Sequence, residues 1–293
     1  MFVRRVCSRA TNTHRFAHKI RKHENKSRSA ETNEYTRSYN KMSRFTGKVA
    51  FITGGASGMG LATAQLLAEE GAKVAIADIQ YGLAQKSAAA IGESAIAIKL
   101  DQADPKSVED AIDTTVEKFG GLDYAVNAAG IQGPLGGLVD LAPKDIATVF
   151  AVNLSGVAYC LKYEAIAMKK RGGGSIVNIS SIGALRPIPF LGVYSASKTG
   201  VISLTSIAAV ENGPDNIRVN CIAPGYVDTP LLDARIDRDW AASITPNRRC
   251  GVPRDIADVS AYLLSDDAKQ VNGVNIPVDG GLIAGHQIKP PGF

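Results

Sequence analysis

The chain has 293 residues, of which 45% are hydrophobic and 21% are charged, so it can form one large domain or two small ones with a substantial core. Its net charge of +5 is unevenly spread: residues 1–45 hold 12 Lys and Arg against three Glu, a net of +9, which leaves −4 for the remainder. A mildly acidic folded part offers no electrostatic footprint for nucleic acid, and we expect no such partner.

The cysteines, at positions 7, 160, 221 and 250, form no Cys-x-x-Cys pair, and three of the four histidines lie within the first 23 residues. This spacing argues against a metal site or a disulfide framework and fits a reducing compartment. Residues 49–68 form a run of twenty residues without charge, the length of a membrane span. Glycines and polar residues divide this run into strand, turn and helix, so we expect no membrane association.

Residues 1–45 are basic and polar and show no apolar periodicity. The first half has the composition of a mitochondrial or plastid transit peptide. There are two alternatives to a transit peptide. The segment is an inert tail, or translation begins at Met42, just before the first predicted strand. We favour these last two interpretations and a cytoplasmic protein, whereas a transit peptide would make it mitochondrial. In each case residues 46–293 form the folded domain.

From Lys48 onward, short apolar runs alternate with helical stretches. The predicted strands are 49–53, 73–78, 94–100, 122–127, 175–180 and 217–222, with 274–278 as a seventh. Helices are predicted at 58–70, from Pro105 to Gly120, at 145–170 and at 194–212. Apolar strands that alternate with helices are typical of a parallel sheet covered on both faces. We therefore predict an α/β fold, a single doubly wound Rossmann-type domain with about seven parallel strands.

Glycines follow the first predicted strand in the spacing Gly-x-x-x-Gly-x-Gly, and a predicted helix begins there. Such glycines admit positive φ and let the backbone approach a pyrophosphate, while the helix amino terminus supplies free N–H groups. An ordinary glycine-rich turn is the alternative, but the position within the first βαβ unit favours a dinucleotide. The candidate cofactor-binding residues in this loop are Gly54, Ser57, Met59 and Gly60.

Asp78 ends the second predicted strand. A carboxylate at this position can accept hydrogen bonds from the adenosine ribose and would repel a 2′-phosphate. Neither Ser57 nor Ile79 is basic, so no cation stands there to neutralise such a phosphate. We predict NAD as the cofactor, with NADP as the alternative. A plain helix cap is the other interpretation of Asp78.

Tyr194 and Lys198 are four residues apart, so on a helix they lie on one face. A free phenol has a pKa of about 10. An ammonium group about 4 Å away, at an effective dielectric constant of about 20, would favour the phenolate by about 4 kcal/mol, or roughly three pKa units. We therefore expect Lys198 to bring the pKa of Tyr194 near 7. Ser181, at the end of the fifth strand, can hydrogen-bond the same substrate oxygen, although Ser180 is an adjacent competitor.

Taken in order, these motifs resemble those of the short-chain dehydrogenase/reductase family, over about residues 48–282. The matches are Thr53–Gly60 (TGxxxGxG), Asn127–Gly130 (NxAG), Asn153, Ser181, Tyr194 with Lys198, Pro224–Gly225 and Asp279–Gly281. The 13-residue separation of Ser181 from Tyr194 also fits the family.

The resemblance implies that Tyr194 exchanges a proton with the substrate oxygen, which Ser181 positions and polarises. It implies that Lys198 lowers the pKa of the tyrosine and holds the nicotinamide ribose, and that Asn153 holds a water in a proton relay. The implied cofactor contacts also include Asp101 at the adenine, Asn127 along the cofactor, and Val227 and Thr229 at the nicotinamide amide. A homotetramer or homodimer through the predicted helices 145–170 and 194–212 is implied as well.

The resemblance further implies that residues 231–250 cover the substrate as a lid and that the loop 183–192 forms the other wall. Phe190 and Trp240 in these segments favour a hydrophobic or cyclic secondary alcohol or ketone, and Arg186 is either a substrate contact or a solvated surface residue. Two other functions stay open: an NADPH-dependent 3-oxoacyl-carrier-protein reductase, and a catalytically silent dinucleotide-binding protein. The first would need a cation near the adenosine ribose, and the second would typically lack part of the Ser, Tyr and Lys set.

Overall fold

A computed structural model describes residues 44–232 and 236–285. The predicted extension, including Met42, lies almost entirely outside these described residues. Seven strands form one parallel sheet in the order β3-β2-β1-β4-β5-β6-β7. The strands are β1 Val49–Thr53, β2 Lys73–Asp78, β3 Ala95–Lys99, β4 Tyr124–Asn127, β5 Gly174–Ile179, β6 Ile217–Pro224 and β7 Asn275–Val278. The predicted fold class and all seven predicted strands are confirmed.

Helices cover both faces of this sheet. They are α1 Gly58–Glu69, α2 Tyr81–Ile91, α3 Pro105–Phe119, α4 Pro143–Phe150, α5 Gly156–Arg171, α6 Gly192–Asn212, α7 Arg238–Ile244 and α8 Pro253–Leu264. A π-helical turn, Ala151–Ser155, joins α4 and α5. The four predicted helices are confirmed, with the predicted 145–170 helix divided by this turn, whereas α2, α7 and α8 are additional.

Two apolar layers hold the helices to the sheet. Phe51 and Val219 belong to a core with α3, α5 and α6, while Ile52 and Ile222 belong to a core with α1, α2 and α8. Successive strand residues point to opposite faces, and both faces are covered. This is why the strands are almost continuously hydrophobic rather than alternating.

The continuous helix Pro143–Arg171 is the one helix, among the described residues, that is long and apolar enough to cross a membrane. It carries two fully buried polar side chains, Asn153 and Glu164, and packs on the sheet through Val157 and Met168. The uncharged run 49–68 is a strand, a turn and a helix, as predicted. One face of the helix Pro143–Arg171 therefore packs against the sheet.

The strand order reverses direction between β1 and β4, and this reversal creates a crevice at the carboxyl ends of the two strands. The backbone N–H of Ala129, just after β4, donates a hydrogen bond to the Oγ1 of Thr53 at the end of β1, at 3.1 Å. In open α/β sheets, ligands bind at such a switch point. The residues that follow β1 and β4 are therefore the first place to look for a site.

Candidate active site

The loop after β1 is shaped by glycines that no other residue could replace without displacement. Gly54 has a φ of +63°, and a Cβ there would lie 2.8 Å from the backbone of Ala129. A Cβ on Gly60 would lie 2.3 Å from the carbonyl oxygen of Gly54. At these glycines there is thus no room for a side chain between the end of β1, the residues after β4 and the first turn of α1. The result is a cradle lined by backbone.

The amino terminus of α1 faces a cleft of about 950 Å³. Ser57 has extended backbone angles at the helix N-cap, and its hydroxyl has no hydrogen-bond partner among the described residues. The N–H groups of the first helical turn have no intrahelical acceptor and carry the positive end of the helix dipole. Of the predicted loop residues, Gly54, Ser57, Met59 and Gly60 all line the cleft. Such a surface fits the pyrophosphate of a dinucleotide.

Two carboxylates line the same cleft beyond the loop, Asp78 and Asp101, and the adenosine contacts expected of them stay a prediction. Asp78 is 8% exposed; its Oδ2 accepts from the N–H of Ala56 at 3.1 Å, and its Oδ1 from the N–H of Gln80 at 2.9 Å. These bonds orient the carboxylate and leave lone pairs that can accept from ribose hydroxyls. Asp78 is therefore both a local cap and a cofactor candidate.

Asn127, at the end of β4, does not line the cleft itself. Its side chain turns into the core, where Nδ2 donates to the Oδ1 of Asn178 at 2.9 Å and to the Oε2 of Glu164 at 3.1 Å. Its neighbours Ala128, Ala129 and Gly130 line the cleft instead. The polar atoms of the Asn127 side chain thus connect β4, β5 and α5, and the cofactor contact implied for this residue stays a prediction.

Glu164 was not singled out by the sequence, yet it is fully buried beneath this site. Burial raises the pKa of Glu164 to about 8, and the hydrogen bond from Asn127 only partly opposes that rise. The side chain is therefore mostly protonated at neutral pH. Its Oε1 and the Oδ1 of Asn127 are both buried without a partner, so a carboxyl proton is a donor that this pair needs.

Tyr194, Lys198 and Ser181 lie together at the carboxyl end of β5. The Nζ of Lys198 lies 5.9 Å from the centroid of the Tyr194 ring and donates a hydrogen bond to the carbonyl oxygen of Ile179 at 2.9 Å. The Tyr194 hydroxyl is hydrogen-bonded with the Ser181 side chain. The adjacent competitor, Ser180, donates instead to the carbonyl oxygen of Lys198. The structure thus brings the three predicted residues into one group.

The net shift in the pKa of Tyr194 is opposite to the predicted one. Burial raises the pKa of Tyr194 above its usual value, and the hydrogen bond with Ser181 opposes this only in part. Burial also lowers the pKa of Lys198 to about 8. Desolvation outweighs the attraction of an ammonium whose hydrogen bond points to a backbone carbonyl. The lysine itself can lose or gain a proton near neutral pH.

Asn153 lies in the π-helical turn and is fully buried. Its Oδ1 accepts from the N–H of Ile131 and its Nδ2 donates to the carbonyl oxygen of Ile131, both at 2.8 Å, and Nδ2 also donates to the Oγ of Ser197 at 3.2 Å. A Cβ on Gly130 would lie 3.3 Å from the Nζ of Lys198. Asn153 therefore fixes the loop after β4 against Lys198. The proton relay implied for it stays a prediction.

A second pocket, of about 660 Å³, adjoins the cofactor cleft and shares Met59, Thr229 and Leu231 with it. Tyr194 and Ser181 line this pocket, and its described walls carry no charged side chain. The walls are formed largely by Ile182, Ile188, Leu191, Val227, Leu232 and Ile236. The reacting hydroxyl of Tyr194 therefore faces an apolar chamber.

The two aromatic residues expected at the substrate do not line this chamber. Phe190 is 67% exposed and borders a smaller neighbouring cavity. Trp240 packs edge-on against Tyr226, with ring centroids 5.6 Å apart, and it is Tyr226 that lines the pocket. Arg186 donates to the carbonyl oxygen of Gly285 at 3.4 Å and does not line the pocket. The apolar character of the walls comes from aliphatic side chains instead.

The predicted nicotinamide contacts Val227 and Thr229 follow β6 and line the apolar pocket. The Oγ1 of Thr229 donates weakly to the carbonyl oxygen of Val227, at 3.4 Å. Two polar residues of the same pocket, Gln132 and Tyr226, were not identified from the sequence. Their neighbours in the chain give no signal, because only the folded chain brings the loops after β4 and β6 to Tyr194.

Comparison with known proteins agrees with this geometry. A family model described as enoyl-(acyl carrier protein) reductase matches residues 54–283. The chain is 41% identical over 240 residues to cyclohexanol dehydrogenase of Acinetobacter sp. (strain SE19), covering 81% of this chain and 95% of that protein. It is also 41% identical over 246 residues to cis-4-hydroxycyclohexanecarboxylate dehydrogenase of Sinomonas cyclohexanicum, covering 82% and 98%.

Solved structures give the same result. The crystal structure of levodione reductase matches with a TM-score of 0.79 and 37% identity, over 83% of this chain and all of that one. A 3-ketoacyl-(acyl-carrier-protein) reductase from Brucella melitensis, complexed with NADH, matches with a TM-score of 0.79 and 35% identity, over 81% and 99%. The chain belongs to the short-chain dehydrogenase/reductase family. It is an oxidoreductase that transfers a hydride between a nicotinamide cofactor and an alcohol or ketone.

Proposed function

We propose that this enzyme is an NAD-dependent dehydrogenase of cyclic secondary alcohols, which also reduces the corresponding ketones. The observation that carries the proposal is the aliphatic pocket of about 660 Å³ that opens on Tyr194 and Ser181 and joins the cofactor cleft. Aliphatic walls stabilise a hydrophobic ring by removing its surface from water. The names of the relatives, cyclohexanol dehydrogenase among them, support a ring substrate.

The residues at the pocket divide the chemistry among them. When bound, the nicotinamide takes up the hydride from the carbon that bears the oxygen, or returns it. Tyr194 accepts the hydroxyl proton in alcohol oxidation and donates it in ketone reduction, while Ser181 holds the substrate oxygen by a hydrogen bond. Because its pKa lies at about 8, Lys198 can pass a proton onward near neutral pH. In our proposal Asn153 holds a water that continues this path beyond Lys198.

NAD rather than NADP is the cofactor in this proposal. The support is Asp78, whose carboxylate lines the cleft and whose charge would repel a 2′-phosphate. Neither Ser57 nor Ile79, which line the same part of the cleft, can neutralise such a phosphate. The NADPH-dependent 3-oxoacyl reductase, the second candidate, is favoured only by the likeness to a 3-ketoacyl reductase, and that structure holds NADH.

We also propose that the enzyme is a homotetramer or homodimer formed through α5 and α6. Three large aliphatic side chains on these helices are exposed: Ile166 at 44%, Ile207 at 49% and Val210 at 73%. Contiguous apolar surface on a soluble protein commonly marks an interface. Sedimentation of the full chain, with Val210→Lys as the variant, tests the assignment: the wild type should sediment as an oligomer and the variant as a smaller species.

A cytoplasmic location is part of the same proposal. Cys160, Cys221 and Cys250 are free thiols, and burial raises the pKa of the first two. Free thiols fit a reducing compartment, which includes the mitochondrial matrix. The segment whose composition separates these two locations lies outside the described residues.

The deciding experiment is a panel of ring and linear secondary alcohols and their ketones, assayed with NAD(H) and NADP(H). Ring alcohols with NAD should be oxidised with the highest kcat/KM. Tyr194→Phe should lose activity by about 10²–10⁴-fold, since proton transfer by a positioned group contributes that much. A 3-oxoacyl thioester belongs in the panel, because its preferential reduction with NADPH would overturn the proposal.

A further inference from the structure

Gln132 lies on the loop after β4, on the wall of the apolar pocket next to Tyr194. The residue before it, Ile131, is held by the two hydrogen bonds from Asn153 described above, and Gly130 lies against Lys198. The backbone that carries Gln132 is thus fixed to the catalytic group on one side. A side chain that is anchored in this way can act with a defined reach into the pocket.

Most polar side chains of this pocket already have a partner in the protein. The Oγ of Ser181 accepts from the N–H of Gly183 at 3.0 Å, the Ser180 hydroxyl donates to the carbonyl of Lys198, and Thr229 donates to Val227. The amide of Gln132 has no hydrogen-bond partner among the described residues. Gln132 is half-buried at the pocket, so its amide is accessible and can bond a ligand that enters there.

A glutamine amide both donates and accepts hydrogen bonds, so it can bind a hydroxyl or a carbonyl oxygen equally well. That property suits an enzyme whose substrate and product differ in the oxidation state of an oxygen. The reacting oxygen is already served by Tyr194 and Ser181. The group that remains for Gln132 is therefore a polar substituent elsewhere on the same small ring.

We propose that Gln132 binds a second oxygen on the ring, so that cyclic diols or hydroxyketones are better substrates than the simple ring alcohol. The inference rests on the proposed function and names its substrate class more closely. Gln132 is a specificity-determining residue in this account and takes no part in proton transfer. Tyr226 is the competing residue, because its hydroxyl also has no partner among the described residues.

The test compares kcat/KM for cyclohexanol with that for 1,2-, 1,3- and 1,4-cyclohexanediol, in the full-length wild type and in Gln132→Met. Methionine keeps the length of the side chain and removes its hydrogen bonds. The wild type should prefer at least one diol over cyclohexanol. In the variant, the ratio of kcat/KM for that diol to that for cyclohexanol should fall by about tenfold, mainly through a higher KM for the diol.

Tyr226→Phe is the matched variant at the other unpartnered polar side chain of the pocket, and it should leave this ratio within about twofold of the wild type, in contrast to the tenfold change expected of Gln132→Met. The inference is overturned if the wild type prefers cyclohexanol to every diol. It is also overturned if Gln132→Met lowers kcat/KM for all substrates by the same factor, or if Tyr226→Phe alone abolishes the preference for the diol. A wild type that oxidises no ring alcohol would instead refute the proposed function. The two failures are therefore distinguishable.

Discussion

Asn153 and Ile131 exchange two hydrogen bonds of 2.8 Å, in which the side-chain amide of the first pairs with both backbone polar groups of the second. This pairing mimics a strand pairing and ties the π-helical turn to the loop after β4. π-helical turns inside α-helices are frequent at functional sites, and here the turn directs Asn153 toward the loop. The position of Gly130 against Lys198 depends on it.

Replacing Asn153 should therefore impair catalysis and stability together. Asn153→Ala leaves the N–H and the carbonyl of Ile131 without these partners at the half-buried wall of the cleft, at up to about 1–3 kcal/mol for each group. We expect a lower midpoint of urea unfolding and a fall in kcat of about 10²-fold, the size of effect that a displaced catalytic group produces. Asn153→Asp keeps the acceptor and loses the donor, so its kcat should lie between that of the wild type and that of Asn153→Ala. Equal kcat for all three proteins would contradict the positioning role.

The cofactor loop allows a paired glycine test. Gly60→Ala brings a Cβ to 2.3 Å from the carbonyl oxygen of Gly54, so the loop must open and NAD affinity should fall at least tenfold. Gly82→Ala, within α2, meets no atom within 4 Å. It should stabilise the protein by about 0.5–1 kcal/mol through helix propensity, with NAD affinity unchanged. Calorimetric titration with NAD and urea unfolding measure both effects.

A second prediction about the cofactor concerns Asp78. Asp78→Asn removes the charge and keeps one oxygen, which can accept from the N–H of either Ala56 or Gln80 but not from both in the present geometry. The ratio of kcat/KM with NADP to that with NAD should rise at least tenfold, because the repulsion of the 2′-phosphate disappears. Asp78→Ala should raise the same ratio but also weaken the loop. An unchanged ratio in both variants would contradict the assignment to NAD.

The pH profile of alcohol oxidation reports on Lys198. Because burial lowers its pKa to about 8, we expect kcat to rise through an inflection near pH 8 as the lysine loses its proton to solvent and can accept one again. Lys198→Arg retains a positive charge, which an arginine does not lose in proteins. The inflection near pH 8 should be absent in this variant, and its persistence would assign the titration to another group.

The sequence predicts the sheet well, because buried parallel strands are continuous apolar runs and each one is bounded by glycine or polar residues. It misses α2, whose segment Tyr81–Ile91 begins with no side-chain cap among the described contacts and is rich in alanine. It also misses α8, although Pro253 at the first turn and Asp255 at the third position are typical of a helix start.

The sequence predicts the site residues that belong to a short local motif. It does not predict contacts between residues that lie far apart in the chain. Tyr194, Lys198 and the glycine loop are local, and the structure brings each to the predicted place. The side-chain contacts of Asn127 are not predicted, because its partners Asn178 and Glu164 are 51 and 37 residues away in the chain. The pKa of Tyr194 was predicted from charge and distance alone, whereas its direction is set by desolvation, which no sequence pattern reports.

The last prediction concerns the buried carboxyl group of Glu164. Burial raises the pKa of Glu164 from 4.5 to about 8, so the folded protein holds a proton that the unfolded chain has already lost above about pH 4.5. Between these two values the folded state binds more protons, and the free energy of unfolding must fall as the pH rises. The slope is at most about 1.4 kcal/mol per pH unit for one such group, and it vanishes above pH 8 and below pH 4.5.

Glu164→Gln is neutral at every pH and keeps an oxygen that can accept from Asn127. The free energy of unfolding is measured in urea at pH 5, 6.5 and 8. The value for Glu164→Gln minus that for the wild type should increase by a few kcal/mol from pH 5 to pH 8. Glu117→Gln, at an exposed position on α3, is the matched control and should follow the wild type at each pH. If Glu164→Gln also runs parallel to the wild type, then the carboxyl is ionised in the folded protein and its buried partners include a donor that this structure does not contain.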